Sequence, residues 1–257
     1  MNKYRDIVVL PDTQNPYHDR KYVNALISFI KDYQPDELAH VGDGLDSPEP
    51  SRWNKGMAGE YADTLQKSIN DFNLMMWQFR EALGDGKPFH FKMGNHDERI
   101  ETYVARYAPA LGSLDALKFD TLTGLSDPGL EVEVHRGLYD IAPGWVMAHG
   151  HEASLSRIPG STAMGLARKI GKSVVCGHTH RVGLQHETTG YNGKTRTIYG
   201  LEVGHAMDMS QAAYLKYGGA NWQQGFAILK TDGRRTWPQA ITVQGRQFTV
   251  DGRVYAF

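Results

Sequence analysis

The feature that most constrains the fold is a recurring junction in which a short apolar run ends abruptly in a polar residue able to hold a metal. In "VVCGHTHR" (174–181), for example, an apolar run stops at a glycine and His178 and His180 follow. Such runs, bounded by turn residues, are typical of buried strands. In open α/β sheets, functional side chains collect at the carboxyl ends of the strands, so the sequence predicts an α/β fold with one site built from strand ends. The five junctions end in Asp12, in Asp43, in Asn95 with His96, in His149, and in His178 with His180.

Length and composition limit the kind of protein. A chain of 257 residues with 40% hydrophobic and 22% charged residues is typical of a globular protein, and we predict a single domain over 1–257. The 28 basic and 29 acidic residues give a formal net charge of -1, which argues against the broad basic surface of a non-specific duplex binder. The single cysteine, Cys176, lies in an apolar run and excludes an intramolecular disulfide, as is usual in a reducing compartment.

The apolar runs are short. Near the N-terminus only four apolar residues, "IVVL", precede the next carboxylate. Neither a signal peptide nor a membrane span fits there or elsewhere. We therefore expect a cytoplasmic protein with no membrane partner.

The first hundred residues alternate between strand and helix patterns. Apolar residues repeat at helical spacing from Val23 to Ile30 and again from Tyr61 to Leu83, which predicts two helices. The segment 46–59, rich in Pro, Gly and charge, predicts a loop leading into the second helix, so that 46–84 forms a loop-helix elaboration at the mouth of the site. Strands are predicted at 6–10, 37–41 and 88–93.

After Gly124 the pattern changes to strands and turns. Strands are predicted at 130–136, 145–150 and 173–176, and a helix at 161–170. From Gly183 onward, turn signals at "YNGK", "TDG", "VQGR" and "VDGR" separate further strands. Alternating strands and helices followed by an antiparallel tail predict a layered α/β sandwich.

The histidine pair at 178 and 180 favours metal binding when the other junctions are considered. Residues i and i+2 of an extended segment point to the same side, which places two imidazoles roughly 6 to 7 Å apart, suited to one metal or to two neighbouring metals. Mixed oxygen and nitrogen donors are what a pair of divalent cations requires. Each junction has a structural alternative, such as helix capping by Asp43, but five together are hard to explain in that way.

In order, the junctions read "DTQ", "GD", "GNHDE", "HGH" and "GHTH". This series, from Asp12 to His180, resembles the calcineurin-like metallophosphoesterases, whose pattern is D-x-H, G-D, G-N-H-D/E, an isolated His and G-H-x-H. The resemblance implies a four-layer α/β/β/α sandwich and a two-metal hydrolase. It also implies the ligands: Asp12, Gln14, Asp43 and His180 for one metal, and Asp43, Asn95, His149 and His178 for the other.

Gln14 is the one departure from this pattern, because the family has histidine there. A carboxamide oxygen is neutral but a harder and weaker donor than imidazole, which favours Mn²⁺ over Zn²⁺, with Mg²⁺, Fe and Ni²⁺ as further candidates. Alternatively, Gln14 only orders water and that metal binds loosely or arrives with the substrate.

The resemblance also implies roles for residues next to the ligands. Two cations roughly 3.5 to 4 Å apart lower the pKa of a water that lies between them, and this water becomes the nucleophile. His96 is then expected to donate a proton to the leaving oxygen, with Asp97 orienting its ring. Arg99 and His151 are candidates for contacting the phosphate, although solvated side chains are the simpler alternative.

These features predict a metal-dependent phosphohydrolase, and His96 favours a phosphodiesterase because an alcohol leaving group needs a proton. Cyclic or short nucleotide diesters are the expected substrates, with Trp53 in the mouth loop as a candidate for stacking on the base. A nuclease acting on single-stranded nucleic acid and a phosphomonoesterase or protein phosphatase are alternatives. A non-catalytic scaffold is the alternative from another class.

Overall fold

The computed structural model describes residues 4–47, 50, 65–211 and 220–257. Its first sheet has six strands, of which β1 to β4 are parallel to one another and β10 and β11 are antiparallel to their neighbours. In sheet order these strands are β11 (Thr236–Thr242), β10 (Gly225–Thr231), β1 (Arg5–Leu10), β2 (Glu37–His40), β3 (Phe89–Lys92) and β4 (Val132–His135).

The second sheet has five strands, and β6, β7 and β9 are parallel in it. Its order is β5 (Tyr139–Ala142), β6 (Trp145–Met147), β7 (Ser173–Cys176), β9 (Lys194–Val203) and β8 (Val182–Tyr191). A separate hairpin pairs β12 (Gln247–Val250) with β13 (Arg253–Ala256).

The described α-helices are α1 (Arg20–Tyr33), α2 (Leu65–Leu83), α3 (Arg99–Tyr107), α4 (Phe119–Leu122) and α5 (Ser161–Ile170). Short 3-10 helices lie at Pro109–Leu111, Asp115–Leu117 and Met209–Gln211. The start of α1 is fixed by Asp19, whose carboxylate accepts hydrogen bonds from the backbone N–H groups of Lys21 and Tyr22, an N-cap. In the described part of the chain, no helix is both long enough and apolar enough to traverse a bilayer.

The side chains of strand β1 contribute to two hydrophobic cores, one on each face of the first sheet. Val8 and Leu10 pack against the helices α1 and α2, whereas Ile7 and Val9 face the second sheet, because successive side chains on a strand point to opposite faces. A third core lies between α5 and the other face of the second sheet. The layers are therefore helix, sheet, sheet, helix, which confirms the predicted four-layer α/β/β/α sandwich.

Most predicted elements are present. The helix at 161–170 and the strand at 173–176 coincide with α5 and β7, and the "YNGK" turn joins β8 to β9. The sequence patterns gave no indication of α3, α4 or β5. Of the predicted mouth loop at 46–59, only 46, 47 and 50 are among the described residues, so Trp53 and the first turn of the helix predicted from Tyr61 lie outside them.

Candidate metal centre

The loops that follow β1, β2, β3, β6 and β7 converge at one end of the two sheets, and the structure brings together all seven side chains predicted to bind metal. Direct contacts connect them in a continuous series, in which Asp43 occupies the middle. The series runs from Asp12 to His180, Gln14, Asp43, His149 and then to Asn95 and His178. We call Asp12, Gln14 and His180 the first half of the centre, and Asn95, His149 and His178 the second half.

The second half is organised around the buried ring of His149. Its Nε2 atom lies 3.1 Å from Asp43 Oδ2 and 3.1 Å from Asn95 Oδ1. Its Nδ1 atom lies 2.9 Å from the carbonyl oxygen of Val41, so Nδ1–H donates to that oxygen and Nε2 is directed into the centre. One ligand atom each from Asp43, His149 and His178 can be chosen so that all lie within 4.8 Å of one another.

The charges in this half favour a cation. Burial alone would lower the pKa of His149, but the neighbouring Asp43 carboxylate outweighs it and raises the pKa to about 10. Burial would raise the pKa of Asp43, but His149 and His96 hold it well below its usual value. A negative potential that retains a proton on a buried imidazole also stabilises a metal cation at the same place.

The first half is assembled around Asp12. Its Oδ2 atom lies 3.3 Å from His180 Nε2 and accepts a hydrogen bond of 2.8 Å from the backbone N–H of His178. The Nε2 amide group of Gln14 lies 3.2 Å from Asp43 Oδ2 and 3.4 Å from His180 Nε2. Gln14 therefore directs its nitrogen at Asp43, and its oxygen would face the centre only after the carboxamide turns over.

Four of the seven side chains are held on left-handed backbone. Their φ angles are 53° for Gln14, 50° for Asp43, 67° for His178 and 57° for His180. Residues other than glycine rarely adopt this conformation, and such strain concentrates at functional sites. The strain is supported locally, for example by the hydrogen bond of 2.9 Å from Gln14 N to Asp43 O.

Two glycines are explained by close packing at the centre. A Cβ atom on Gly94 would overlap the Asp43 carboxylate and lie 2.8 Å from the ring of His149. A Cβ atom on Gly177 would overlap the Asp12 carboxylate. Glycine is therefore required before Asn95 and before His178, because the backbone of each loop passes directly against a carboxylate of the neighbouring loop.

The residues present fit a divalent cation. Among the described side chains, the buried Asp12 Oδ1 atom has no hydrogen-bond partner, and buried polar atoms without partners are costly unless something binds them. The donor set combines carboxylates, imidazoles and carboxamides, which suits first-row divalent metals.

His96 lies at the edge of the centre. Its backbone N–H donates to Asp43 Oδ1 over 2.8 Å, and its Nε2 atom lies 3.8 Å from Asp43 Oδ2 and 2.8 Å from Nη2 of Arg99. Its Nδ1 atom contacts the carboxylate of Asp46. Arg99 also donates from Nη1 to the carbonyl oxygen of Asp46 over 2.5 Å.

The role predicted for Asp97, to orient the ring of His96, is wrong. The fully buried Asp97 carboxylate accepts hydrogen bonds from three backbone N–H groups, those of Asp43 at 2.7 Å, Gly94 at 2.8 Å and Leu45 at 3.0 Å. Asp97 thus fastens the two ligand loops together. Burial, with Asp43 nearby, raises the pKa of Asp97 to about 7. Asp46, which the sequence analysis did not single out, takes the predicted position beside the His96 ring.

His151 lies at the rim of the second half. Its ring centroid is 5.4 Å from that of His149 and 6.2 Å from that of His178. Burial lowers the pKa of His151 despite the nearby carboxylate of Glu152, so the ring is mainly neutral at neutral pH.

His205, which was not among the predicted site residues, lies behind the first half. Strand β9 ends in "VGH", the same junction that marks the other sites, so the signal was present. The backbone of His205 forms a β-bridge with Asp12, and its ring lies 5.3 Å from that of His180. The His205 Nδ1 atom accepts a hydrogen bond of 3.0 Å from the backbone N–H of Met207. Trp222 packs edge-on against His180 at 4.3 Å.

Two carboxylates, the partly exposed Glu152 and the fully buried Glu202, hold the histidine loops from behind. Glu152 pairs with the buried Lys92 at 3.2 Å and accepts a hydrogen bond of 2.7 Å from the backbone N–H of Gly150. The Glu202 carboxylate accepts a hydrogen bond of 2.7 Å from the hydroxyl of Thr179. It accepts a second hydrogen bond of 2.8 Å from the backbone N–H of Thr162, in the first turn of α5. Neither carboxylate has a sequence signal of its own, since Glu202 lies within an apolar strand and Glu152 lies in the loop after His151.

Comparison with known proteins identifies close relatives in two bacteriophages. The Gene 54 proteins of Mycobacterium phage D29 and Mycobacterium phage L5 are each 40% identical to this chain over 252 residues, covering 97% of this chain and 98% of the relative. No protein-family model matches the chain. The chain belongs to the family of these Gene 54 proteins.

Similar solved structures are more distant. Vps29 from Cryptosporidium parvum has a TM-score of 0.48 at 14% identity, with 99% of both chains covered. Vps29 from Chaetomium thermophilum has a TM-score of 0.47 at 10% identity, with 98% of both chains covered. The nuclease MPE of Pseudomonas putida has a TM-score of 0.31 at 12% identity, covering 91% of this chain and 86% of its own.

Proposed function

We propose that this member of the mycobacteriophage Gene 54 protein family is a calcineurin-like metallophosphoesterase that uses two divalent metal ions to hydrolyse phosphodiesters. The observation that carries the proposal is the unbroken contact series from Asp12 to His178 with Asp43 at its centre. A carboxylate that contacts both halves can bridge two metals, which is the arrangement that a two-metal hydrolase needs.

The two halves would each hold one metal. Asp12, Gln14 and His180 belong to one, Asn95, His149 and His178 to the other, and Asp43 to both. When bound, such a pair of cations activates water and stabilises the charge on the phosphoryl group. The oxygen-rich first half favours Mn²⁺ over Zn²⁺, since carboxylate and carboxamide oxygens are hard donors.

His96 is suited to protonate the leaving oxygen. Burial alone would lower its pKa, but the Asp43 and Asp46 carboxylates outweigh burial and raise the pKa above its usual value. With Nδ1–H directed at Asp46, the proton for the leaving group would be carried on Nε2, the ring atom that faces Asp43, once Arg99, which donates to Nε2 in this structure, has moved away. A positioned acid of this kind matters most for poorly acidic alcohols, which is why we favour diesters.

Arg99 is suited to contact the phosphate. Its guanidinium lies 2.8 Å from His96 Nε2, on the side where a leaving oxygen must approach. Arg99 is therefore expected to move from His96 to a phosphate oxygen when substrate binds, which frees Nε2 for proton transfer. His151, a neutral donor at the rim of the second half, is the second candidate for a substrate contact.

Small nucleotide diesters are the favoured substrates. The near-zero net charge of -1 is unlike that of proteins that neutralise many phosphates of duplex DNA. A diester of one or two nucleotides needs only the metals and a few donors. Against the scaffold alternative, both Asp43 and His96 are retained and lie 3.8 Å apart.

A substrate panel tests the proposal. Purified protein is stripped with EDTA, reloaded with Mn²⁺ or Zn²⁺, and assayed on cyclic nucleotides, short linear diesters, monoesters, single-stranded DNA and duplex DNA. We expect no activity without metal, better recovery with Mn²⁺ than with Zn²⁺, and fastest turnover of small diesters. Activity that persists in excess EDTA would refute the two-metal mechanism, and efficient duplex cleavage that falls steeply with salt would assign the protein to the nucleases instead.

A further inference from the structure

A second group of metal-ligand side chains lies away from the centre, at the edge of the first sheet. It consists of His90 on β3 with Glu133 and His135 on the edge strand β4, and we call it the edge cluster. In the parallel register, His90 pairs with Glu133 and Lys92 with His135, so these side chains share the face of the sheet that is turned toward the second sheet. None of the three is required by the proposed phosphoesterase mechanism.

The distances within the edge cluster match those of a metal site. His90 Nδ1 lies 3.2 Å from His135 Nε2 and 3.4 Å from Glu133 Oε2. Four ligands placed tetrahedrally at about 2.0 to 2.1 Å from a metal are separated from each other by about 3.3 to 3.4 Å. The two distances from His90 are close to this spacing, and one ligand atom from each of the three residues can be chosen so that all lie within 4.8 Å of one another.

The surroundings hold both rings in place. The ring of Tyr139, on β5 of the second sheet, stacks on His135 with centroids 3.7 Å apart, and its hydroxyl lies 3.5 Å from His90 Nε2. Metal-binding histidines usually have their second ring nitrogen held by such a partner. The His90 and His135 side chains are 8% and 11% exposed, whereas Glu133 is 65% exposed, so the carboxylate covers the site from the solvent side.

The charges around the edge cluster also permit a cation. Both imidazole side chains are largely buried, and the neutral imidazole is the form that binds metals. Of the basic groups nearby, Arg5 is paired with Glu37 at 2.6 Å and Lys92 with Glu152 at 3.2 Å. Their positive charges are therefore largely balanced by partners outside the cluster.

We propose that the edge cluster is a second metal site, distinct from the phosphoesterase centre, that binds one Zn²⁺-like ion through His90, Glu133 and His135. Two nitrogens and one oxygen suit Zn²⁺ better than Mg²⁺ or Ca²⁺, and water completes the coordination. The ion fastens the edge strand β4 to β3 and, through the ring of Tyr139, to the second sheet. Its role is structural, because no side chain of the cluster belongs to the phosphoesterase centre.

Zinc stoichiometry tests this proposal. Wild-type protein, His135→Ala and the nearly isosteric Glu133→Gln are stripped, equilibrated with a zinc buffer, and analysed for bound metal, thermal unfolding and Mn²⁺-dependent diesterase activity. The matched control is His186→Ala, because His186 is an exposed histidine on β8. We expect His135→Ala to bind one zinc fewer per chain and Glu133→Gln to bind that zinc at least about tenfold more weakly. Diesterase activity is expected to stay at the wild-type level.

Glu133→Gln keeps the test decisive if His135→Ala does not fold, since Glu133 is mostly exposed and its amide preserves the shape. Zinc should also raise the unfolding temperature of the wild type and of His186→Ala by more than that of Glu133→Gln. Equal stoichiometry and equal zinc affinity in wild type and Glu133→Gln would overturn the proposal. So would a loss of zinc from His186→Ala equal to that from His135→Ala, because the binding would then be non-specific.

Discussion

In the second half of the metal centre, the ring of His149 is fixed by a hydrogen bond of 2.9 Å from its Nδ1 to the Val41 carbonyl. In the first half, the corresponding Nδ1 atom of His180 has no hydrogen-bond partner among the described residues, and the ring is held by packing against Trp222 and His205. The second half therefore presents an oriented ligand, and the first half presents one whose orientation depends on aromatic contacts.

The difference extends to the residue that departs from the family pattern. Gln14 directs its amide nitrogen at Asp43 and must turn over to offer an oxygen, whereas Asn95 already has Oδ1 directed toward His149 Nε2. Preorganised ligands bind a metal more tightly because less ordering is needed on binding. On the two-metal function proposed above, the second half would hold the tighter metal and the first half would limit catalysis at low metal concentration.

The largest effect should follow from Asp43→Asn, because the Asp43 carboxylate contacts both halves of the centre and the substitution should affect both of them. Removing one negative charge weakens both metals, and we expect kcat/KM for a small diester to fall at least about 10³-fold. Metal content and turnover are measured together, with the exposed Asp115→Asn as control. Retention of one tightly bound metal with near-normal turnover would show that Asp43 does not serve both halves.

His96→Ala comes next and should leave both halves loaded. The described polar contacts of His96 are with Asp43, Asp46 and Arg99, and of these three only Asp43 is a predicted ligand. We therefore expect normal metal content and a loss of about 10² to 10⁴-fold on diesters with alcohol leaving groups. A nitrophenyl diester, whose leaving group needs no proton, should lose much less. Equal losses on both substrates would remove His96 from the role of acid, and His186→Ala serves as the matched control.

Gln14→His tests the weaker half directly. An imidazole is a better donor for softer ions, so the substitution should tighten the first-half metal by about tenfold and raise the activity obtained with Zn²⁺ relative to Mn²⁺. Metal titrations of activity measure both quantities, with the exposed Gln247→His as control. Unchanged affinity and ion preference would mean that Gln14 is not a ligand.

The sequence predicts the candidate ligands of the centre better than it predicts the residues that hold them in place. The convergence of six candidate ligands could be predicted from strand ends and glycines, which leave a local pattern, and the seventh, Gln14, was predicted from the family resemblance alone. The residues that hold these side chains could not be predicted, because they act through the path of the loops. Asp97 accepts a hydrogen bond from the backbone N–H of Asp43, and Asp46 takes the place beside His96 that the family resemblance assigned to Asp97. His205 follows the same junction pattern and could have been found by it.

The fold shows the same contrast between local pattern and tertiary context. Strands and helices with a buried face, such as α5 and β7, follow from apolar periodicity. The helix α3 has a single buried residue, Ile100, so it carries little apolar signal. Which strands pair is also not encoded locally, because β10 crosses back from the C-terminal region to lie beside β1.

Glu202 offers the finest test of how the two halves are linked. It is fully buried on β9, and its carboxylate accepts hydrogen bonds from the Thr179 hydroxyl and from the Thr162 backbone N–H at the start of α5. The positive end of a helix dipole stabilises such a buried carboxylate. Thr179 separates His178 of the second half from His180 of the first, so Glu202 fixes the spacing between the halves.

Glu202→Gln should therefore have a small effect that falls unevenly on the two halves. The amide keeps the shape but directs an N–H group at one of two donors, which should lower the free energy of unfolding by about 1 to 3 kcal/mol.

We expect a severalfold loss of affinity for the first-half metal, whose His180 has no hydrogen bond at Nδ1, and little change for the second, whose His149 is held independently by Val41. Metal titration alongside thermal unfolding measures both, with Glu81→Gln, at an exposed position of α2, as control. A loss of stability without any change in either metal affinity would leave Glu202 a purely structural residue, and equal weakening of both metals would mean that the halves are not held independently.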